Sequence, residues 1–200
     1  MIKEMMLLAG EATARFAFQH GIPFQYISQE APELPNKLPS GLAGEYRKRR
    51  AMRPRSVGTI PAMHAALGLA MYGQVTSPLR RYGDLVSHRQ LLNFIDGKTL
   101  TPADELILKI AAGDEAGRAC VAASRASRQH WTLVYLMQHP EWQGRAVVLD
   151  TMGKKAHIFI PSIGYEGDIN LNAEAELNQE FTVKVRRIRL PYLQAVFEQV

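Results

Sequence analysis

Residues 76–89 read TSPLRRYGDLVSHR, and this stretch says more about the fold than any other part of the chain. Ser77 is a favourable N-cap residue and Pro78 suits the first position of a helix, so a helix is predicted to begin there. Such a start presents free backbone N–H groups and the positive end of the helix dipole. Because Arg80 and Arg81 add charge-assisted donors beside it, the motif predicts a site that binds a phosphate.

A second interpretation of the same residues stays open. Arg80, Asp84 and His88 are spaced four apart and would share one helix face, as in an exposed ion-pair ladder of small energetic value. The other side of the helix would then supply core residues, namely Tyr82, Leu85, Val86, Leu92 and Ile95.

The charge of the chain is mildly basic and unevenly distributed. The 200 residues carry a net charge of +5, with the hydrophobic and charged fractions, 46% and 22%, of an ordinary globular protein. The basic surplus precedes residue 143 and is concentrated in YRKRRAMRPR (46–55), which holds six basic residues and no acid. A run of this kind is typical of a solvated loop or of a nucleic-acid contact, and both remain open.

The single cysteine and the lack of long apolar stretches indicate where the protein works. Cys120 cannot form an internal disulfide, which fits a reducing cytoplasm, and its small-residue surroundings predict a buried structural thiol. Because no stretch of roughly 18 apolar residues exists, no membrane span and no membrane partner are expected.

Hydrophobic periodicity predicts a mainly helical first part. Apolar residues three and four apart predict a helix over 2–19 that ends at Gly21 and Pro23. An extended segment rich in proline is expected over 24–61. Further helices or turns are predicted at 63–73, 76–96, 103–112 and 115–138, with a break at Gly113-Asp114.

The period changes after Gln143. Five short segments rich in β-branched and aromatic residues predict five antiparallel strands and a small OB-type barrel. We therefore predict an α+β chain in which a mainly helical region (1–142) precedes a five-stranded antiparallel OB-type β-barrel (143–200). His157 and Phe159 share one strand face, and Phe159 could serve either base stacking or the barrel core. The other candidate RNA contacts of the barrel are Lys154, Lys155, Tyr165, Arg186, Arg187 and Arg189.

The central motif resembles a known family. PAMHAALGLAMYGQVTSPLRRYGDLVSHRQLL, residues 61–92, is similar to the C-terminal half of the catalytic domain of the ribonuclease II and ribonuclease R (RNB) family. The opening helix, EMMLLAGEATA, also resembles a helix of that family, with Gly10 where asparagine is usual. The family ends in an OB-fold RNA-binding domain, in agreement with the strands after residue 143.

The resemblance implies a function. Members of the RNB family are processive 3′→5′ exoribonucleases that hydrolyse single-stranded RNA to nucleoside 5′-monophosphates at a magnesium site. It implies that Arg80 contacts a phosphate near the scissile bond as the catalytic residue of this chain. Thr76, Ser77, Arg81 and Tyr82 are the remaining RNA-binding candidates of the motif, of which Arg81 and Tyr82 could instead support the channel.

The sequence departs from the family at the metal. No D-x-D-D cluster occurs, so the magnesium ligands are expected in an upstream part of the same protein that carries the aspartates. The chain is then the C-terminal portion of an exoribonuclease and is inactive alone. The alternative is a degenerate, non-catalytic single-stranded RNA-binding protein. A third hypothesis is a small self-sufficient hydrolase. The absence of HExxH, G-x-S-x-G and paired CxxC motifs argues against it.

Overall fold

A computed structural model of the protein describes residues 1–35 and 37–200 and confirms the α+β class. The helices are α1 (Ile2–Gln19), α2 (Gly41–Ala51), α3 (Tyr82–Ile95) and α4 (Ala103–Gln138). The strands are β1 (Tyr26–Ser28), β2 (Ser56–Gly58), β3 (Gln143–Met152), β4 (Lys155–Ile160), β5 (Tyr165–Asn170), β6 (Glu180–Arg189) and β7 (Gln194–Gln199).

The chain forms two compact units. Unit 1 comprises Met1–Glu33 and Met52–Val121, and unit 2 comprises Leu34–Ala51 and Ala122–Val200. The division into a catalytic portion (1–142) and an RNA-binding domain (143–200) stays a prediction. It is a division by function, whereas the two units are defined by spatial contacts.

Unit 1 is built around α1 and the segments that follow it. The buried residues of α1 are small, Gly10, Ala14 and Ala17, so that neighbouring backbone approaches closely. A Cβ at Gly10 would lie 2.6 Å from the carbonyl oxygen of Gly73, whose N–H donates to the Gly10 carbonyl. The helix ends as predicted, with Gly21 at a φ of +62°. The predicted apolar face is wrong in the first turns, where Ile2, Met5 and Met6 are exposed.

The prediction of an extended segment over 24–61 is wrong at α2, a helix of 11 residues, and the rest of the chain between α1 and α3 is mostly irregular. The short strands β1 and β2 pair antiparallel, and residues 63–73 contain one 3-10 turn, Ala65–Leu67, rather than a full helix. α3 ends as predicted near Gly97, whose φ is +66°. Of the core residues expected on α3, only Val86 is buried, and the others are half or more exposed: Tyr82, Leu85, Leu92 and Ile95.

α4 is one helix of 36 residues, so the predicted break at Gly113-Asp114 is wrong. A glycine inside a helix costs about 1 kcal/mol relative to alanine, which a long helix can absorb. Cys120 is exposed on this helix, which corrects the expectation of a buried thiol. Despite the length of α4, no helix within residues 1–35 and 37–200 is apolar enough to cross a membrane.

Unit 2 contains the predicted five-stranded antiparallel barrel. The strand order is β5-β4-β3-β6-β7, and the Tyr165 hydroxyl of β5 donates to the Ala195 carbonyl of β7 over 3.3 Å, which links the two outer strands. Leu133 and Leu136 of α4 pack into the barrel core. The inward strand residues of that core include Ala146, Val148, Ala156, Ile158, Ile160, Ile169, Val183 and Phe197.

Candidate nucleic-acid interface

The TSPLRR loop of unit 1 is held by one buried carboxylate. Asp84 lies in the first turn of α3 and is 0% exposed. Its Oδ2 accepts the backbone N–H of Ser77 over 2.8 Å and Nη2 of Arg81 over 2.7 Å. Arg81 also donates to Oγ1 of Thr76 over 3.3 Å. The loop geometry therefore depends on a residue that follows it in the chain.

These contacts correct the predicted helix start. Ser77 and Pro78 do not open a helix, because α3 begins at Tyr82 with Arg81 at the N-cap position. Residues 77–81 instead form a turn in which the Ser77 carbonyl accepts the N–H groups of Arg80 (3.2 Å) and Arg81 (3.0 Å). Because α3 begins at Tyr82 and the N–H of Ser77 is taken by Asp84, Ser77 does not present a free helix N-terminus to an external phosphate.

The two adjacent arginines have different environments. The Arg81 side chain is 28% exposed and is paired with Asp84. Arg80 is exposed, and among the described residues no carboxylate lies within ion-pair distance of it. Arg80 is therefore the arginine of this loop whose donors remain available to a ligand.

The ion-pair ladder proposed for Arg80, Asp84 and His88 is wrong. Asp84 is buried and pairs with Arg81, and the Nε2 of His88 lies 2.6 Å from the Val75 carbonyl. Since a carbonyl only accepts, His88 donates from Nε2 and holds the irregular segment before Thr76. His88 thus has a structural role in the loop.

Aromatic and glycine packing complete the surroundings of the loop. A Cβ at Gly83 would lie 2.6 Å from Nε2 of the buried Gln25, so any other residue there would have to displace the end of that side chain. Tyr82 is 50% exposed and its ring lies against Gly113 of α4, where a Cβ would be 2.7 Å from Cδ1 of the tyrosine. Tyr82 therefore packs on α4 and stays half exposed.

In unit 2, the candidate face of the barrel lies on β4. Ala156, Ile158 and Ile160 point into the core, while His157 and Phe159 point outward and are half-buried. The alternative that Phe159 belongs to the barrel core is wrong. Its ring lies on the outer face of the sheet and is partly covered there.

His157 is held between two acids. Its Nδ1 lies 2.7 Å from Asp168 and its Nε2 lies 3.3 Å from Glu166, both on β5. Lys155 also pairs with Asp168 at 2.8 Å, whereas Lys154 is exposed in the turn before β4. These hydrogen bonds lower the pKa of Asp168, with the contribution of Lys155 larger than that of His157.

The ring of His157 already packs against an aromatic ring in a tilted arrangement. Tyr46 of α2 is buried and its ring centroid lies 5.1 Å from that of His157, with an interplanar angle of 32°. Arg49 donates to Oε2 of Glu166 over 2.6 Å. Burial alone would raise the pKa of Glu166, but hydrogen bonds from Arg49 and His157 lower it. The contact between α2 and the barrel is not predictable from sequence patterns, because these act over a few residues and the contact joins residues more than 100 positions apart.

The basic run at 46–55 is largely neutralised within the protein. Five of its six basic side chains form ion pairs, and the sixth, Arg50, donates to the hydroxyl of Tyr46 over 3.1 Å. Exposed pairs of this kind contribute about 0–1 kcal/mol each. The pairs are Arg47–Asp150, Lys48–Glu45, Arg49–Glu166, Arg53–Glu33 and Arg55–Asp114.

The carboxylates present do not fit a magnesium site. No group of three or more His, Cys, Asp or Glu side chains that could hold a metal ion occurs in the described ranges 1–35 and 37–200. Magnesium requires near-octahedral oxygen ligands. Oδ2 of Asp84, the carboxylate of the TSPLRR loop, is taken by Arg81 and Ser77. We assign no chemical step to a metal held by these residues.

Sequence comparison identifies the class of protein that this loop defines. Residues 43–97 match the RNB domain, and the chain belongs to the RNB family, as the motif predicted. It is 37% identical over 152 residues to an uncharacterized ribonuclease of Synechocystis, covering 72% of this chain and 23% of the relative. It is 27% identical over 194 residues to the chloroplastic/mitochondrial ribonuclease II of Arabidopsis thaliana, covering 92% and 24%. The chain thus spans about a quarter of the length of these relatives.

Solved structures share the fold over all or nearly all of the chain. The Dss1 exoribonuclease of Candida glabrata aligns with a TM-score of 0.80 at 22% identity, over 100% of this chain and 28% of that one. Mycoplasma genitalium RNase R in complex with single-stranded RNA aligns with a TM-score of 0.75 at 15% identity, over 100% and 41%. Yeast Ssd1, a pseudonuclease, aligns with a TM-score of 0.66 at 18% identity, over 93% and 29%.

Proposed function

We propose that this chain is part of a processive 3′→5′ exoribonuclease that hydrolyses single-stranded RNA to nucleoside 5′-monophosphates. In this protein Arg80 contacts an RNA phosphate near the scissile bond. The observation that carries the proposal is the contrast within the arginine pair. Arg81 is committed to the buried Asp84, while Arg80 is exposed and unpaired among the described residues of a motif that belongs to the RNB family.

The electrostatic role of Arg80 follows from phosphoryl-transfer chemistry. Negative charge develops on the phosphate in the transition state, and a positioned guanidinium stabilises it through two parallel hydrogen bonds. Asp84 acts as a positioning residue, because it holds the turn from which Arg80 projects. Thr76, Ser77, Arg81 and Tyr82 then contribute the surroundings of the RNA rather than the reacting contact.

The barrel is proposed to hold RNA in the same protein. Phe159 offers an outward aromatic surface and Lys154 an exposed cation. Lys155 and His157 would have to exchange their carboxylate partners for phosphates. Magnesium is the proposed cofactor, with ligands from a preceding part of the same protein, and the cytoplasm is the proposed location, in keeping with the lone Cys120.

The test compares Arg80→Ala with Arg15→Ala in the full reading frame. Arg15 is also an exposed arginine, but it is paired with Glu11. We expect Arg80→Ala to slow magnesium-dependent release of mononucleotides from a 3′ end by roughly 10²–10³-fold, with a small change in RNA affinity. Equal rates for the two variants would remove the role assigned to Arg80.

A second candidate is a non-catalytic RNA-binding protein of the same family. It is supported by the fold shared with a pseudonuclease. The same assay separates the two, since this candidate requires RNA binding without release of mononucleotides from the full reading frame. Magnesium-dependent digestion by the 200-residue chain alone would contradict both candidates.

A further inference from the structure

A cavity in unit 2 lies where α4 meets the start of β5 in the barrel. Its volume is about 200 Å³. One wall is formed by Arg125, Arg128, Gln129 and Thr132, which share a face of α4 at intervals of three and four residues. The opposite wall is formed by residues 164–166 at the start of β5. Neither arginine belongs to the motif or to the basic run described above.

The two arginines bring uncompensated positive charge to this cavity. Both are exposed, and within the described part of the chain neither has a carboxylate at ion-pair distance. The sequence from 116 to 140 holds no Asp or Glu at all. This differs from the basic run at 46–55, where five of six charges are paired. The cavity therefore keeps its donors free for an anionic ligand.

The one carboxylate in the cavity wall, Glu166, is already engaged. Its Oε2 accepts from Arg49 over 2.6 Å and its Oε1 faces Nε2 of His157 at 3.3 Å. Arg49 supplies the positive charge that offsets it. Glu166 therefore competes poorly with an anionic ligand for the guanidinium groups of Arg125 and Arg128.

The helix that carries the arginines is fixed against the barrel. Nε2 of Gln129 donates to the Leu193 carbonyl over 2.6 Å, and Leu133 and Leu136 are buried in the barrel core. Tyr165 is held by its bond to Ala195 and by the Phe197 ring, 5.0 Å away. Because these walls are held in place, little ordering is needed when a ligand binds.

We propose that this cavity binds a phosphate of single-stranded RNA through Arg125 and Arg128, as a subsite separate from Arg80. Guanidinium groups bind phosphate oxygens in bidentate fashion. The volume is below the roughly 300–1,000 Å³ of pockets that enclose a drug-sized ligand, so it suits one phosphate with its ribose. The inference rests on the proposed RNA-binding function and extends it to a new site.

The test measures the affinity of a fluorescent single-stranded oligoribonucleotide over a range of salt concentrations. Arg125→Ala/Arg128→Ala is compared with Lys109→Ala/Arg118→Ala, which removes the same charge from α4 at residues paired with Glu105 and Asp114. We expect binding about tenfold weaker in the first variant only. The salt slope should fall by about 0.7 if one phosphate is no longer neutralised. Equal losses in the two variants would reduce the effect to net charge and overturn the subsite.

Two further measurements separate the sources of phosphate and the two proposals. Nucleoside 5′-monophosphate and inorganic phosphate are titrated while the Nε–Hε signals of Arg125 and Arg128 are followed by NMR. Shifts with the nucleotide at lower concentration than with phosphate support a site for phosphate and ribose, and no shift with either overturns it. Glu166→Gln should bind RNA equally or more tightly, and weaker binding would contradict an anion site. If the unmodified protein binds no RNA, the proposed function fails, whereas normal RNA binding by the Arg125→Ala/Arg128→Ala variant defeats the subsite alone.

Discussion

Arg81 donates from Nη2 to Oδ2 of Asp84 over 2.7 Å, and Asp84 is completely buried in this pair. Oδ1 of the same carboxylate has no hydrogen-bond partner among the described residues. A buried charge with one free oxygen depends strongly on its partner, since desolvation is offset only by that attraction. The pair fixes the turn that precedes α3 and thereby selects Arg80 as the arginine that remains exposed.

Replacing Asp84 by Asn should strongly destabilise the protein. Breaking a buried ion pair costs about 3–5 kcal/mol, because an uncompensated charge is left behind. Since Arg81 keeps 28% exposure, the loss should lie at the lower end. Urea unfolding measures it, with Asp96→Asn as the matched control, because Asp96 pairs with Lys98 at the surface and should contribute about 0–1 kcal/mol. Similar losses in the two variants would contradict the role of Asp84.

Alanine at Arg80 and at Arg81 should separate binding from stability. Arg80→Ala should change the free energy of unfolding by no more than about 0.5 kcal/mol, as expected for a surface position. Arg81→Ala should lower it by more, since Asp84 is then left buried without its cation. Thermal or urea unfolding of both variants provides the comparison. A larger loss for Arg80→Ala would mean that the two arginines have been assigned the wrong way round.

The two glycines inside α4 should respond oppositely to alanine. At Gly117 a Cβ meets nothing within 4 Å, so Gly117→Ala should raise the free energy of unfolding by about 0.5–1 kcal/mol through helix propensity. At Gly113 a Cβ would lie 2.7 Å from Cδ1 of Tyr82, so Gly113→Ala should forfeit that gain or destabilise. Chemical denaturation of the two variants gives the comparison. Equal stabilisation would show that Tyr82 does not pack on Gly113.

Leu133 should be one of the residues that most stabilise unit 2. It is 0% exposed within the barrel core, and Leu→Ala at such sites costs about 2–5 kcal/mol. Met137 on the same helix is 56% exposed, so Met137→Ala serves as the control and should have little effect. Denaturant unfolding followed by tryptophan fluorescence reports on unit 2, because Trp131 and Trp142 both lie in it and Trp142 packs against the same core. A small effect of Leu133→Ala would exclude α4 from that core.

The acids beside His157 should make unit 2 sensitive to low pH. The folded pKa values of Glu166 and Asp168 lie below their ordinary values of 4.5 and 3.8. Their contribution to stability is therefore complete above those values and is lost as the pH falls through the lowered folded pKa. In an NMR titration, Arg49→Ala should raise the pKa of Glu166. Lys155→Ala should raise the pKa of Asp168, because Lys155 contributes more than His157 to lowering it. If neither pKa changes, Arg49 and Lys155 do not lower these pKa values and do not explain a loss of stability at low pH.

Local sequence patterns predicted much of the fold. The helix at 2–19, the end of α3 near Gly97 and the five strands after residue 143 follow from periodicity and from glycine and proline signals, which act over a few residues. The errors have a common physical cause. Ser77-Pro78 was expected to open a helix, and Gly113-Asp114 to end one, yet packing and hydrogen bonds from outside each segment decided both.

The sequence by itself determined the family and the position of its motif, because the types and spacing of residues 61–92 are specific. Only the tertiary structure decided which charges stay free. Arg47 and Arg49 meet Asp150 and Glu166, carboxylates 103 and 117 residues away, while Arg81 is taken by Asp84. Whether a basic side chain can bind a phosphate depends on the carboxylates that folding brings beside it. Patterns of neighbouring residues do not predict that proximity, because paired residues such as Arg49 and Glu166 are far apart in the sequence.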